Sequence, residues 1–173
     1  MPESFRWSSY LGIGTALFLA AGAFELLIGL LAPIVGLPPT VVGLSTGTDQ
    51  ALYGHPTQEL LQDPTVLGLR THHTIVVGGL LAGLGILGIS VAWFGLRQGQ
   101  AWALPVLVLG ELVMWPFWAL MIFQYSSVGV PVALFGDVQP FVVVPAVLLT
   151  PAGALSWLGL RSSKGDADKT TLG

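Results

Sequence analysis

Four stretches of the chain run with almost no polar interruption, from about Tyr10 to Leu31, Thr74 to Leu96, Ala101 to Phe123 and Val138 to Leu160. Crossing ~30 Å of hydrocarbon at ~1.5 Å per residue takes about 20 residues of helix. Backbone groups in a bilayer must be satisfied inside a helix or a closed barrel. A barrel strand would alternate in polarity, and residues 75–81 (IVVGGLL) do not. The pattern predicts an all-α polytopic membrane protein. It is a four-helix bundle in a single domain over residues 1–161, followed by a flexible polar tail over 162–173.

The polar positions between these runs predict the connections. Residues 97–100 are too few for anything but a tight turn, which makes spans two and three antiparallel neighbours. The connection over residues 32–73 is roughly forty residues, far beyond the usual few, and is expected to be ordered and to cap the bundle. Pro33, Pro38 and Pro39 should stop the first helix, and residues 56–62 suit a short amphipathic helix. Asp63-Pro64 reads as an N-cap followed by proline at the first helical position, so the second helix should begin well before its membrane span. Pro140, Pro145 and Pro151 predict a kinked fourth span, which carries no charge and so suits lipid or a partner.

Composition narrows the class. Of 173 residues, 53% are hydrophobic and only 9% charged, with a mean hydropathy of +0.79. Globular domains carry about 25% charged residues, so an ordinary soluble enzyme and a disordered segment are both excluded. Six Lys and Arg against nine Asp and Glu leave too few cations to track phosphates, which excludes a nucleic-acid partner. The lack of cysteine removes disulfides, thiolate catalysis and Cys-ligated metals.

Charge placement predicts orientation. Arg6, Arg97, Arg161, Lys164 and Lys169 fall on one side, whereas the other holds Arg70 among Asp49, Glu59, Asp63 and Asp137. The positive-inside rule then puts both termini in the cytoplasm. Arg6, an apolar run and Ala21-Gly22-Ala23 resemble a secretory signal, but the apolar run continues through Leu31, as an uncleaved first span would. The abundance of Gly and Ala and scarcity of Lys suit a prokaryotic plasma membrane.

Ionisable side chains inside a span are costly, and their cost is the signal of a candidate site. Glu25 lies in span one and Glu111 in span three, while Arg70, His72 and His73 open span two and Gln124 and Tyr125 close span three. Ala21, Glu25 and Gly29 share a helical ridge, on which small residues let a second helix approach closely. Gly79 and Gly83 offer a similar surface on span two, so Glu25 is expected to meet Arg70 or His73. Trp115 and Trp118 follow Glu111 on its ridge, and Pro116 interrupts the helix there. Glu25, Arg70, His72, His73, Glu111, Trp115, Trp118, Gln124 and Tyr125 form the candidate ligand site. Glu111, Glu25 and His73 are the candidates for acid–base chemistry. Each carboxyl would equally suit a structural contact between helices. Trp7, Trp93, Trp102 and Trp157 fall near span ends, as interfacial tryptophans do.

Metal binding is not expected. His72 and His73 point about 100° apart on one helix, and His55 lies away in the loop. No phosphate loop, nucleophile elbow, zinc-protease motif or internal repeat is present, and the sequence names no cofactor. Glu111-Leu112-Val113, followed by Pro116-Phe117, is similar to a stretch in the EXPERA group of small four-helix sterol-isomerase and sterol-binding membrane proteins. That resemblance implies that an intramembrane Glu beside proline and aromatics serves a hydrophobic ligand.

Three functions are compatible with this pattern. One is an outward-facing intramembrane site for a small or hydrophobic ligand, with proton coupling through its carboxyls. Another is an accessory subunit, homo-oligomeric or in a larger membrane complex. The last is an intramembrane isomerase with Glu111 as general acid.

Overall fold

The computed structural model describes residues 5–35 and 40–170, and the side chains of 5–34 and 40–162. It is all-helical, with no strand among the described residues. The helices are α1 (Tyr10–Val35), α2 (Thr46–Tyr53), α3 (Thr57–Leu60), α4 (Pro64–Phe94), α5 (Ala103–Leu112), α6 (Trp115–Ser127) and α7 (Pro140–Thr170). Four segments are long and apolar enough to span a membrane: Tyr10–Ile34, Pro64–Gln98, Ala103–Ser127 and Pro140–Ser162. The chain is therefore an integral membrane protein of the predicted class. One end of the bundle carries the two long connections, 36–63 and 128–139, and is called the loop side below. The opposite end is the termini side.

Glycine decides the central contact. Gly22 and Gly29 of α1 face Gly78, Ala82 and Gly85 of α4, and a side chain at Gly29 or Gly85 would run into the facing backbone. The two helices thus approach through small residues spaced about two turns apart. The expected surface, Gly79 and Gly83, is not the one used, because a Cβ at either would meet nothing within 4 Å. One residue along a helix turns the direction by about 100°, so neighbouring glycines define different faces.

The fourth span is no outlier. Helix α7 packs closely on α1, with Ala152 and Ser156 fully buried and Gly14 and Gly159 at the points of closest approach. Phe18, Ala92, Leu96, Ala103, Leu104 and Ala152 belong to the core where these helices meet on the termini side. The helix continues past its span to Thr170, so the stretch expected as a tail from Ser162 is helical in backbone to that residue.

The lightly packed segment is instead the third span, which is two helices rather than one. Proline at position 116 has no N–H to continue the ladder. The ladder changes step just ahead of it: Val113 still donates to Leu109 at 3.1 Å, but Met114 donates to Glu111, one residue nearer than in an α-helix, at 3.0 Å. Pro116 then sits in the first turn of α6, where a missing N–H costs nothing. Leu112, Val113, Trp115 and Phe117 are all exposed in the isolated chain.

The start of α4 forms as its sequence predicts. The Asp63 carboxylate accepts from the Thr65 N–H at 2.7 Å, and Pro64 occupies the first turn. The end of α1 differs, because the helix passes through Pro33 to Val35. Pro38 and Pro39 lie outside the described residues. The amphipathic stretch at 56–62 contributes only α3, and the same connection also holds α2, whose start is capped by the Ser45 hydroxyl accepting from the Thr48 N–H.

Helix α2 anchors the long connection. Asp49, fully buried, accepts from the N–H groups of Val42, Gly43 and Leu44 at 2.7, 2.9 and 3.0 Å. On the termini side, the Arg97 guanidinium lies 4.2 Å from the Trp93 ring centre and Arg161 lies 3.9 Å from that of Trp157. Such cation–π pairs suit a hydrocarbon–water boundary, where a ring and a charge both find their preferred medium.

Candidate functional site

Because α1 holds α4 on one flank and α7 on another while α5–α6 stands off, a partly open cavity of about 1400 Å³ remains between the helices. Its walls are mostly Leu, Val and aromatic side chains. The charged or titratable side chains lining it, among the described residues, are Glu25, Arg70, His73 and Glu111.

Glu25 and Glu111 form its polar middle, and Phe18, Leu104 and Trp157 line it further toward the termini side. Glu25 is 6% exposed. It lies on the same face of α1 as Phe18, seven residues earlier, and both line the cavity. Glu111 comes from the last turn of α5, just before the break. Their carboxyl groups come within hydrogen-bonding reach of each other. A carboxylate has no donor of its own, so such a bond requires a proton on one member of the pair. Contact of Glu25 with Arg70 or His73, which the sequence suggested, is replaced by this pairing.

Helix register explains the replacement. Gly22 and Gly29 face Gly85 and Gly78 respectively, which puts Glu25 level with residues 81–84 of α4. His73 lies about ten residues further along α4, or about 15 Å at the rise of a helix. The sequence placed Glu25 two turns from the end of span one, but α1 continues to Val35, so the carboxyl is deeper and level with Glu111.

The loop-side end of the cavity is built differently. The Arg70 Nε donates to the carbonyl of Val41 at 2.9 Å, tying α4 to the long connection. Gln139 Nε2 donates to the carbonyls of Gly43 and Leu44 at 3.3 and 3.5 Å. The Ser45 hydroxyl donates to Asp137 Oδ1 at 2.9 Å. Two connections far apart in sequence are thereby stitched into one roof, from which Val41, Leu134 and Phe135 reach down.

The candidate residues divide accordingly. Glu25, Arg70, His73, Glu111, Trp115 and Trp118 line the cavity. His72 and Gln124 are exposed and do not line it. Tyr125 is buried against the connection, where its hydroxyl donates to Asp49 Oδ1 at 2.8 Å. Gln139, Thr74 and Trp157 line the cavity but were not singled out as site residues. Gln139 precedes the proline that starts α7, and a polar residue at a helix start is the only mark it carries. Among the described residues no group of three metal-ligating side chains converges.

Chemically, the cavity offers an apolar body with acids at mid-depth, aromatic rings along its walls, and donors at its loop-side end. Trp115 and Trp118 descend from α6, and the ring of Trp118 meets Phe141 of α7 edge-on at 5.7 Å between centres.

No family model and no solved structure matches the chain. Among curated proteins it is similar to a galactan 5-O-arabinofuranosyltransferase of Mycobacterium leprae, with 30% identity over 118 residues. The match takes in 64% of this chain and 18% of that protein, so the chain spans less than a fifth of the relative's length.

Proposed function

We propose that the protein is a membrane-embedded binding protein for an amphipathic small molecule. The apolar body of the ligand fills the cavity, and its polar end meets Glu25 and Glu111. The observation that carries this reading is the convergence of two carboxyls, from α1 and α5, on one apolar cavity. Acids placed in hydrocarbon are costly and, when they only glue helices, do not need an adjoining void. Cavities of about 300–1000 Å³ already hold drug-sized ligands, and this one is larger. The distribution of Arg and Lys supports cytoplasmic termini, with the roof outside. The mycobacterial relative supports a prokaryotic plasma membrane.

Native mass spectrometry after gentle extraction tests the proposal. A small molecule should remain bound to the wild-type chain and be lost from the Glu25→Gln, Glu111→Gln double variant. An empty wild type, with no molecule retained from its own membrane, would overturn it.

A second reading has its own support. The segment α5–α6 is scarcely buried, and the arabinofuranosyltransferase that the chain resembles in part is several times longer. The chain would then serve as an accessory part of a membrane assembly in glycosyl transfer, with α5–α6 against another subunit. Stoichiometric foreign chains in the same spectra would favour this reading.

A further inference from the structure

The two polar regions of the cavity differ in kind. At the rim, Arg70 and His73 stand beside Thr74 and Gln139. Midway along the cavity, about 15 Å away along α4, Glu25 and Glu111 line the wall together. Charge buried in low dielectric needs an opposite charge or a full set of hydrogen bonds. The helices, among the described residues, bring no cation to this depth. Among the described residues, α4 contributes only apolar side chains at that level, and neither α6 nor α7 places a titratable side chain on the cavity wall.

A second feature points the same way independently. The aromatic side chains Phe18, Trp115, Phe117, Trp118, Phe141 and Trp157 all line the cavity, contributed by α1, α6 and α7. The face of an aromatic ring attracts cations, most strongly when water is excluded, and rings combined with carboxylates are the usual means of holding an organic ammonium. Apolar side chains alone would have sufficed for a neutral lipid.

We infer that the Glu25–Glu111 region of the cavity takes the positively charged nitrogen of a lipophilic amine, an inference that rests on the binding reading above. The ammonium donates hydrogen bonds to the two carboxyl groups, and its flanks meet the aromatic rings. The hydrocarbon part of the ligand extends toward the rim between α4, α6 and α7. A neutral alcohol donates to the same carboxyl groups without the charge, and a carboxylate ligand is repelled.

Three probes of one chain length separate these cases: dodecylammonium, dodecanol and dodecanoate. Each is titrated into the full-length protein in phosphatidylcholine nanodiscs. Binding is read by the change in tryptophan fluorescence, since Trp115, Trp118 and Trp157 line the cavity, and stoichiometry is read by native mass spectrometry. Dodecylammonium should bind at least about tenfold more tightly than dodecanol, with dodecanoate weakest. In the Glu25→Gln, Glu111→Gln double variant the amine should fall to the affinity of the alcohol. If the double variant does not fold, Glu111→Gln alone should lower the preference for the amine over the alcohol, because one of the two carboxyl groups is then lost. Dodecanol binding as tightly as the amine would overturn the charge assignment and leave the binding reading standing. An amine preference that survives the substitutions would overturn the assignment to these two acids. Failure of all three probes would overturn both.

Discussion

Tyr125, in the last turn of α6, donates its hydroxyl to the Asp49 carboxylate at 2.8 Å across 76 residues of chain. Both side chains are buried, at 2% and 0% exposure. The bond fastens the loosest transmembrane segment to the long connection. Tyr125 therefore holds the roof and does not line the cavity. Removing a hydrogen bond to a buried charge costs about 1.5–3 kcal/mol. Tyr125→Phe should lower thermal stability by that amount while leaving probe affinity in the cavity unchanged. Thermal denaturation in detergent and the fluorescence titration measure the two effects separately.

Asp137 gives the roof a dependence on pH. Hydrogen bonds from the Ala133 N–H, then from the Thr48 and Ser45 hydroxyls, hold its carboxyl below the usual range. A carboxyl whose folded pKa is depressed contributes stability above its unfolded value, about 3.9, and loses it as pH falls through the folded value. The melting temperature should therefore fall as the pH is lowered below about 4. Asp137→Asn should remove part of that fall, as seen in melting curves taken from pH 6 to pH 2.

The helix contact offers a geometric test. Gly85→Leu puts a branched side chain into the backbone of Gly22 and Leu26. It should cost at least about 1–3 kcal/mol, the range for overpacking a core. Gly83→Leu, with nothing within 4 Å of its Cβ, should change stability little. Comparable melting temperatures for the two variants would contradict the register of α1 against α4.

The carboxyl pair should act as a unit. Replacing either Glu25 or Glu111 by Gln supplies an amide donor to the remaining acid and removes one potential charge. Each single variant should thus match or exceed wild-type stability, and the effects should be non-additive by about 0.5 kcal/mol or more, as expected of residues in contact. A double-mutant cycle on melting measures the coupling. Strict additivity would mean that the two carboxyls do not meet.

Much of this architecture was legible from local pattern. The four spans and the Asp63-Pro64 helix start rest on hydropathy and capping, which a short window of chain contains. Pro116 announced the break between α5 and α6 for the same reason. Pro33 misled, because neighbouring groups can re-satisfy the backbone freed by a proline inside a membrane helix. The ridge through Gly79 and Gly83 misled because span two carries many glycines, and choosing among them needs the partner helix.

The sequence by itself determined that this is an all-helical membrane protein and that two acids and a cationic rim had to be accommodated within it. Hydrophobic length and the cost of burying charge are properties of the segments themselves. Tertiary structure alone decided which groups meet: Glu25 with Glu111 rather than with Arg70, and Tyr125 with Asp49 rather than with a ligand. Those pairings depend on the relative height and rotation of helices packed through Gly22, Gly29, Gly78 and Gly85. A shift of one residue turns a side chain by about 100°, a change that local hydropathy does not register.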